Sequence, residues 1–182
     1  MNQLGRIHNF GAGPATLPLE VVEECQNSLP NLNASGFGLL EISHRSDTFQ
    51  KIIDSAMERL RRILSIPEDY TVLFLQGGAS LQFYMSALNL LKTGEKVDFL
   101  VTGAWSQKAM KEAMRIGDVS PRWDDSENGF TSIPKNGEYS IRDDAVYLHY
   151  TSNNTLYGTQ YHHLPENYGK PRVLDASSDI AG

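Results

Sequence analysis

Five short runs in this 182-residue sequence carry the residue types that could do chemistry. Gln76-Gly77-Gly78-Ala79-Ser80 can bring backbone close to a ligand, because glycine lacks a Cβ, and N–H groups opening a helix there would suit a phosphate. The ordinary reading is a glycine turn. The run matches neither a Walker A loop nor the G-x-G-x-x-G dinucleotide pattern. Gly103-Ala104-Trp105 offers an indole that could stack on a flat ring or pack in a core. The run from His149 through Thr151 to Thr155 is dense in hydrogen-bonding groups, and equally in turn formers. Asp175 closes the apolar run RVLD, where a carboxylate needs a partner. That partner could be a protonated ring nitrogen, or a following turn with Ser177 and Ser178. Ser43-His44-Arg45 could bind a carboxylate or phosphate, or form a surface helix cap. Taken singly, each run is modest. Together they supply a phosphate seat, a ring stacker, polar side groups and a carboxylate.

Other candidates are weaker. His162 and His163 are adjacent, so they point to different sides, and no third ligand has suitable spacing. No metal site is expected. Asp124-Asp125 and Asp143-Asp144 fall in polar loops and do not read as paired catalytic carboxylates.

The elements that would position these residues follow from periodicity. Residues 7–18 lack an apolar period and read as a loop around Gly11, Gly13 and Pro14. Pro18 opens a helix that Pro30 ends. A longer helix is predicted from Asp47 to Leu64, with apolar residues at three- and four-residue steps and Ser46 or Asp47 as its cap. Thr71 to Leu75 (TVLFL) reads as a buried parallel strand, followed by a helix from Ser80 to Leu91. Lys96–Thr102 is a strand, Gly103 a turn, and Trp105–Ile116 a helix. Val119–Trp123, Ala145–His149 and Arg172–Asp175 complete the strands, and residues 124–144 read as a hairpin or surface loop. Strands alternating with helices imply an α/β fold, with a mostly parallel sheet and helices on both faces. Ligands in such sheets bind beyond the carboxyl ends of the strands, where four of the five runs fall.

Composition excludes some classes. Hydrophobic residues make up 40% and charged residues 21%, as in ordinary globular chains. The net charge of −6 argues against a nucleic-acid footprint. Arg59, Arg61 and Arg62 read as a solvated helix face. One cysteine, Cys25, forms no internal disulfide, fits a reduced cytoplasmic setting, and is expected to be buried. The N-terminus lacks a secretory h-region. The uncharged stretch Tyr70–Leu91 is too polar, and too broken by Gly77 and Gly78, to span a membrane.

The motifs NFGAGPATLP, EISHR, LFLQGGASLQF, GAW, HYTSNNTLYG and LDASS, in this order and spacing, resemble the phosphoserine aminotransferase family of fold-type I pyridoxal-phosphate (PLP) enzymes. The resemblance covers the whole chain. It implies a short N-terminal loop segment over residues 1–16 and a partial PLP-binding large domain over residues 17–182, with the remainder of that domain and the small domain absent. It implies that Ala79 and Ser80 contact the cofactor phosphate, Trp105 stacks on the pyridine ring, Thr155 bonds near the ring hydroxyl and Asp175 pairs with the ring nitrogen. Arg45, with His44, would bind an anionic group of the substrate. The family reaction exchanges an amino group between glutamate and 3-phosphohydroxypyruvate, giving 2-oxoglutarate and phosphoserine in serine biosynthesis, with a related step in pyridoxine biosynthesis. A cytoplasmic homodimer is implied, without nucleic-acid or membrane partners. Two departures stand out. Ser80 occupies a position where many relatives carry Arg. None of the seven lysines lies in a motif matching the family's Schiff-base lysine, so the 182 residues as they stand are expected to be inactive. Two other readings stay open: another small-substrate transaminase, such as an alanine–glyoxylate aminotransferase, or a non-catalytic, self-associating chain.

Overall fold

The computed structural model describes residues 5–180 apart from residues 12 and 14. Pro14, part of the expected N-terminal loop, therefore lies outside the described residues. The chain divides into two compact units, Met1–Phe74 and Leu75–Gly182.

The first unit carries α1 (Leu19–Ser28) and α2 (Asp47–Ile63). Pro18 precedes α1 with φ −53°, a value its ring already imposes, so the helix starts there at no conformational penalty. Cys25 on α1 is exposed, contrary to the buried position expected, because α1 buries none of its residues. The cap of α2 is Ser46, whose Oγ accepts from the Phe49 N–H at 3.2 Å. Arg61 at its far end donates to the Pro67 carbonyl at 2.9 Å and to the Tyr70 carbonyl, so this arginine fastens the chain after the helix.

Residues 71–75 form no strand, which corrects the sequence expectation. Leu73, Phe74 and Leu75 are 67%, 53% and 58% exposed. A strand is defined by hydrogen bonds to a neighbour, and this apolar run pairs with none among the described residues. Its hydrophobicity alone cannot make it one.

The second unit contains α3 (Gly78–Leu90), β1 (Lys96–Val101), α4 (Ala104–Ala113), β2 (Asp118–Asp124), β3 (Ala145–Thr151), β4 (Asn153–Asn154), β5 (Thr159–Gln160) and β6 (Arg172–Asp175). Four strands make a parallel sheet in the order β2-β1-β3-β6, and β4 and β5 form a small antiparallel pair. The expected α/β architecture with a parallel sheet is what the structure has. Val97, Phe99, Val101 and Tyr147 pack with Phe83 and Ala87 of α3 and Ala109 and Ala113 of α4 on one face. Leu100, Leu148 and Tyr150 line the other face with Tyr139, Tyr161 and the partly buried Ile133 and Ile141, so the segment after β2, which has no α-helix, covers part of it. Residues 124–144 are that covering loop, not a hairpin. Asp98 of β1 is wholly buried among these apolar residues. It accepts from Arg142 Nε at 2.7 Å through Oδ1 and from the Arg142 backbone N–H at 2.7 Å through Oδ2.

Candidate functional site

The strand order places a switch point between β1 and β3. From β1 the chain runs through α4 to β2 on one side, then returns past β1 to β3 on the other. In open parallel sheets a switch point of this kind, beyond the carboxyl ends of the strands, is where ligands bind. Trp105 stands in the first turn of α4 and Thr155 just after β4. The Trp105 Nε1–H donates to Thr155 Oγ1 at 3.1 Å and closes the two turns on each other.

The local backbone explains why these turns hold their positions. Ser106 Oγ accepts from the N–H groups of Thr102 and Gly103 at 3.0 and 3.1 Å and donates to the Gly103 carbonyl at 2.9 Å. Asn154 is fully buried and donates through Nδ2 to Thr102 Oγ1 at 3.1 Å and Thr159 Oγ1 at 3.0 Å. Gly103 is needed for room: a Cβ there would lie 2.2 Å from Asn154 Oδ1.

At the start of α3, Gly77 has φ +106°, and a Cβ would fall 2.5 Å from Leu81, so this glycine is set by conformation and by packing. Ala79 and Ser80 are exposed in the first turn, where backbone N–H groups lack intrahelical partners. Ser80 Oγ receives the Lys108 ammonium at 2.6 Å. Lys108 was not singled out by the sequence. Its signal was its spacing from Trp105: three residues apart on a helix, the two share a face.

Asp175 ends β6, opposite Thr151 in the parallel register. Its Oδ1 accepts from the Ser177 N–H at 3.1 Å and from Ser177 Oγ at 2.5 Å, the turn that the ordinary reading required. Its Oδ2 has no hydrogen-bond partner among the described residues. A cavity of about 520 Å³ lies between α3 and the sheet, lined by residues that include Ala79, Gln82, His149, Val173 and Asp175. The volume suits a small organic ligand, within the range of roughly 300–1,000 Å³. Ala79 and Asp175 thus share one cavity, while Trp105 and Thr155 do not line it. His149 is buried there, and burial lowers its pKa to about 4 against a smaller opposing effect of Asp175. Two buried polar atoms on this sheet face, His149 Nδ1 and Thr151 Oγ1, have no hydrogen-bond partner. An orphan of this kind costs about 1–3 kcal/mol.

His44 and Arg45 lie in the first unit, exposed in the turn that leads into α2. No cluster of His, Cys, Asp or Glu among the described residues could hold a metal ion, and no helix among them is long and apolar enough to cross a membrane.

The sequence pattern of the Aminotransferase class-V family matches residues 7–170. The chain belongs to that family. Curated relatives include the phosphoserine aminotransferases of Desulfotalea psychrophila, 46% identical over 96% of this chain and 48% of that protein, and of Syntrophobacter fumaroxidans, 47% identical over 96% and 48%. The chain therefore spans about half the length of the curated relatives it matches. Among solved structures, a phosphoserine aminotransferase studied for radiation damage of its Schiff base superposes with a TM-score of 0.92 at 44% identity, covering 96% of this chain and 49% of that one. The PLP-bound phosphoserine aminotransferase of Trichomonas vaginalis gives a TM-score of 0.85 at 33% identity, covering 93% and 47%.

Proposed function

We propose that this chain provides the cofactor-seating half of a PLP-dependent phosphoserine aminotransferase. The observation that carries the reading is the Trp105–Thr155 bond at the switch point, which joins the two turns a flat ring would contact. Family membership and the names of the relatives support it. The chemistry of the residues present fits the cofactor: an indole, a first turn of helix beside a cation, and a carboxylate with one oxygen unengaged.

On this reading Ala79 and Ser80 hold the phosphate at the open end of α3, where the N–H groups and helix dipole favour an anion. Lys108, beside Ser80, adds the positive charge that Ser80 itself lacks. Trp105 covers the ring and Thr155 orients near its hydroxyl. Asp175 holds a proton on the ring nitrogen through charge attraction. When bound, the cofactor supplies an electron sink that stabilises negative charge on the substrate carbon bearing nitrogen. Arg45, with His44, binds an anionic group of the substrate. The substrates are glutamate and 3-phosphohydroxypyruvate, the products 2-oxoglutarate and phosphoserine, and the setting a cytoplasmic homodimer serving serine biosynthesis, with a related step toward pyridoxine. None of the lysines lines the cavity that holds Asp175, so no lysine is assigned the covalent role.

Titration of the chain with PLP, followed by absorbance, tests the reading. Saturable binding that Asp175→Ala weakens by at least tenfold is expected. Absence of saturable binding, or binding indifferent to Asp175→Ala, overturns it. Tighter binding of phosphoserine than of serine or alanine to the loaded protein checks the substrate class.

A further inference from the structure

The sheet face beneath α3 carries polar groups that the cofactor contacts above leave unused. Residues two apart on a strand share a face, so β3 directs His149 and Thr151 to the same side. The parallel register sets His149 beside Val173 and Thr151 beside Asp175. His149 and Thr151 are 3% and 1% exposed, and their Nδ1 and Oγ1 atoms lack hydrogen-bond partners.

His149 stacks on Phe99 with ring centroids 4.5 Å apart and meets the edge of Phe83 at 6.5 Å. It also lines the cavity that Asp175 lines. The elements packed around it bring Phe83 from α3, Phe99 from β1, and Val173 and Asp175 from β6. Asp175 is the one charge among them. If packing were the only requirement, an apolar ring would fill this stack without orphaning a nitrogen.

We propose that His149 is a positioning residue for Asp175, an imidazole that acts with the Thr151 hydroxyl to keep the free carboxylate oxygen aimed into the cavity when a ring nitrogen binds there. The inference rests on reading that cavity as the place where the cofactor ring meets Asp175. A neutral imidazole has one donor and one acceptor, and a hydroxyl has both. They can therefore order hydrogen bonds around the carboxylate without adding a second charge. Burial keeps the imidazole neutral, which suits that role.

The test uses the whole chain and PLP labelled with nitrogen-15 in its ring. The ring-nitrogen shift, followed from neutral to alkaline pH, reports protonation directly. In the unaltered chain the ring nitrogen stays protonated throughout. His149→Phe and Thr151→Val are expected to release that proton at lower pH and to weaken binding by about tenfold, the effect of one lost hydrogen bond to a charged carboxylate. His149→Asn and Thr151→Ser restore part of the shift. Far-UV circular dichroism establishes that each variant folds, and Thr151→Val carries the test if His149→Phe does not fold. A ring-nitrogen profile identical in the folded variants and the unaltered chain overturns the proposal and leaves His149 a packing residue, with the cofactor reading intact. Absence of PLP binding by the unaltered chain overturns both.

Discussion

Trp105 gives its indole N–H to Thr155 across 3.1 Å, and with that bond the turn after β1 is locked to the turn after β3. The two residues lie 50 positions apart, and the bond spans the one place in the sheet where successive connections part. If it preorganises the ring seat, Trp105→Phe and Thr155→Val each weaken PLP binding about fivefold, the value of one neutral hydrogen bond near 1 kcal/mol. The double variant should be no weaker than the worse single one, because the second change removes a bond already lost. Dissociation constants from absorbance titration close the cycle. Fully additive losses would show that the bond contributes nothing to the seat.

Asp98 predicts a large effect on stability. It is wholly buried, and its two oxygens are held by the side chain and backbone of Arg142, with Arg122 Nε 3.8 Å away. Arg142 also reaches the carbonyls of Val97 and Asp118 at 2.9 Å, so it ties the start of β2 to β1. Removing one member of such a pair strands the other in a low-dielectric site. Asp98→Ala is expected to lower unfolding free energy by about 3–5 kcal/mol. Urea denaturation measures this, and a loss comparable to that of an exposed pair such as Lys96–Asp144 would refute it.

Gly103→Ala should be damaging although its φ of 173° is extended backbone that any residue adopts. The obstacle is Asn154 Oδ1, 2.2 Å from the added Cβ, on a side chain already committed to Thr102 and Thr159. Overpacking of this kind costs about 1–3 kcal/mol, and relieving it would shift the loop that carries Thr155. The expected result is a lower unfolding midpoint together with weaker PLP binding. Asn154→Ala in the Gly103→Ala background should recover part of the binding if the clash is the cause.

The parts of this architecture that were legible in the sequence are those set by local rules. Helix α2 announced itself by its apolar spacing and its Ser46 cap, and β1, β3 and β6 by short apolar runs. Thr71–Leu75 misled because a strand is a property of a pair, and its hydrophobicity says nothing about whether a partner is present. Lys108 offered only its spacing from Trp105, because its partner, Ser80, lies 28 positions away and only the packing of α3 against α4 brings them together. Asn154 read as a turn former, yet it is the buried strut between two loops. His149 stood in a run of polar residues whose alternation gave no sign that one nitrogen would be left unpartnered beneath α3.

His149 also predicts how stability depends on pH. Its pKa in the folded chain is lowered by burial to about 4 from an ordinary 6.5. Between these values the unfolded chain binds a proton that the folded chain refuses, so stability rises with pH across that window. Above 6.5 both states are neutral and the contribution is constant. As pH falls toward 4 the folded protein loses roughly 3 kcal/mol relative to neutral pH from this one group, at 1.36 kcal/mol per unit. His149→Phe keeps an aromatic ring in the stack and removes the titration. Its unfolding free energy, measured by urea at pH values through the window, should therefore fall less steeply with acid than that of the unaltered chain. Equal slopes would mean that the imidazole takes up its proton alike in the folded and unfolded chains and is not the buried neutral group described.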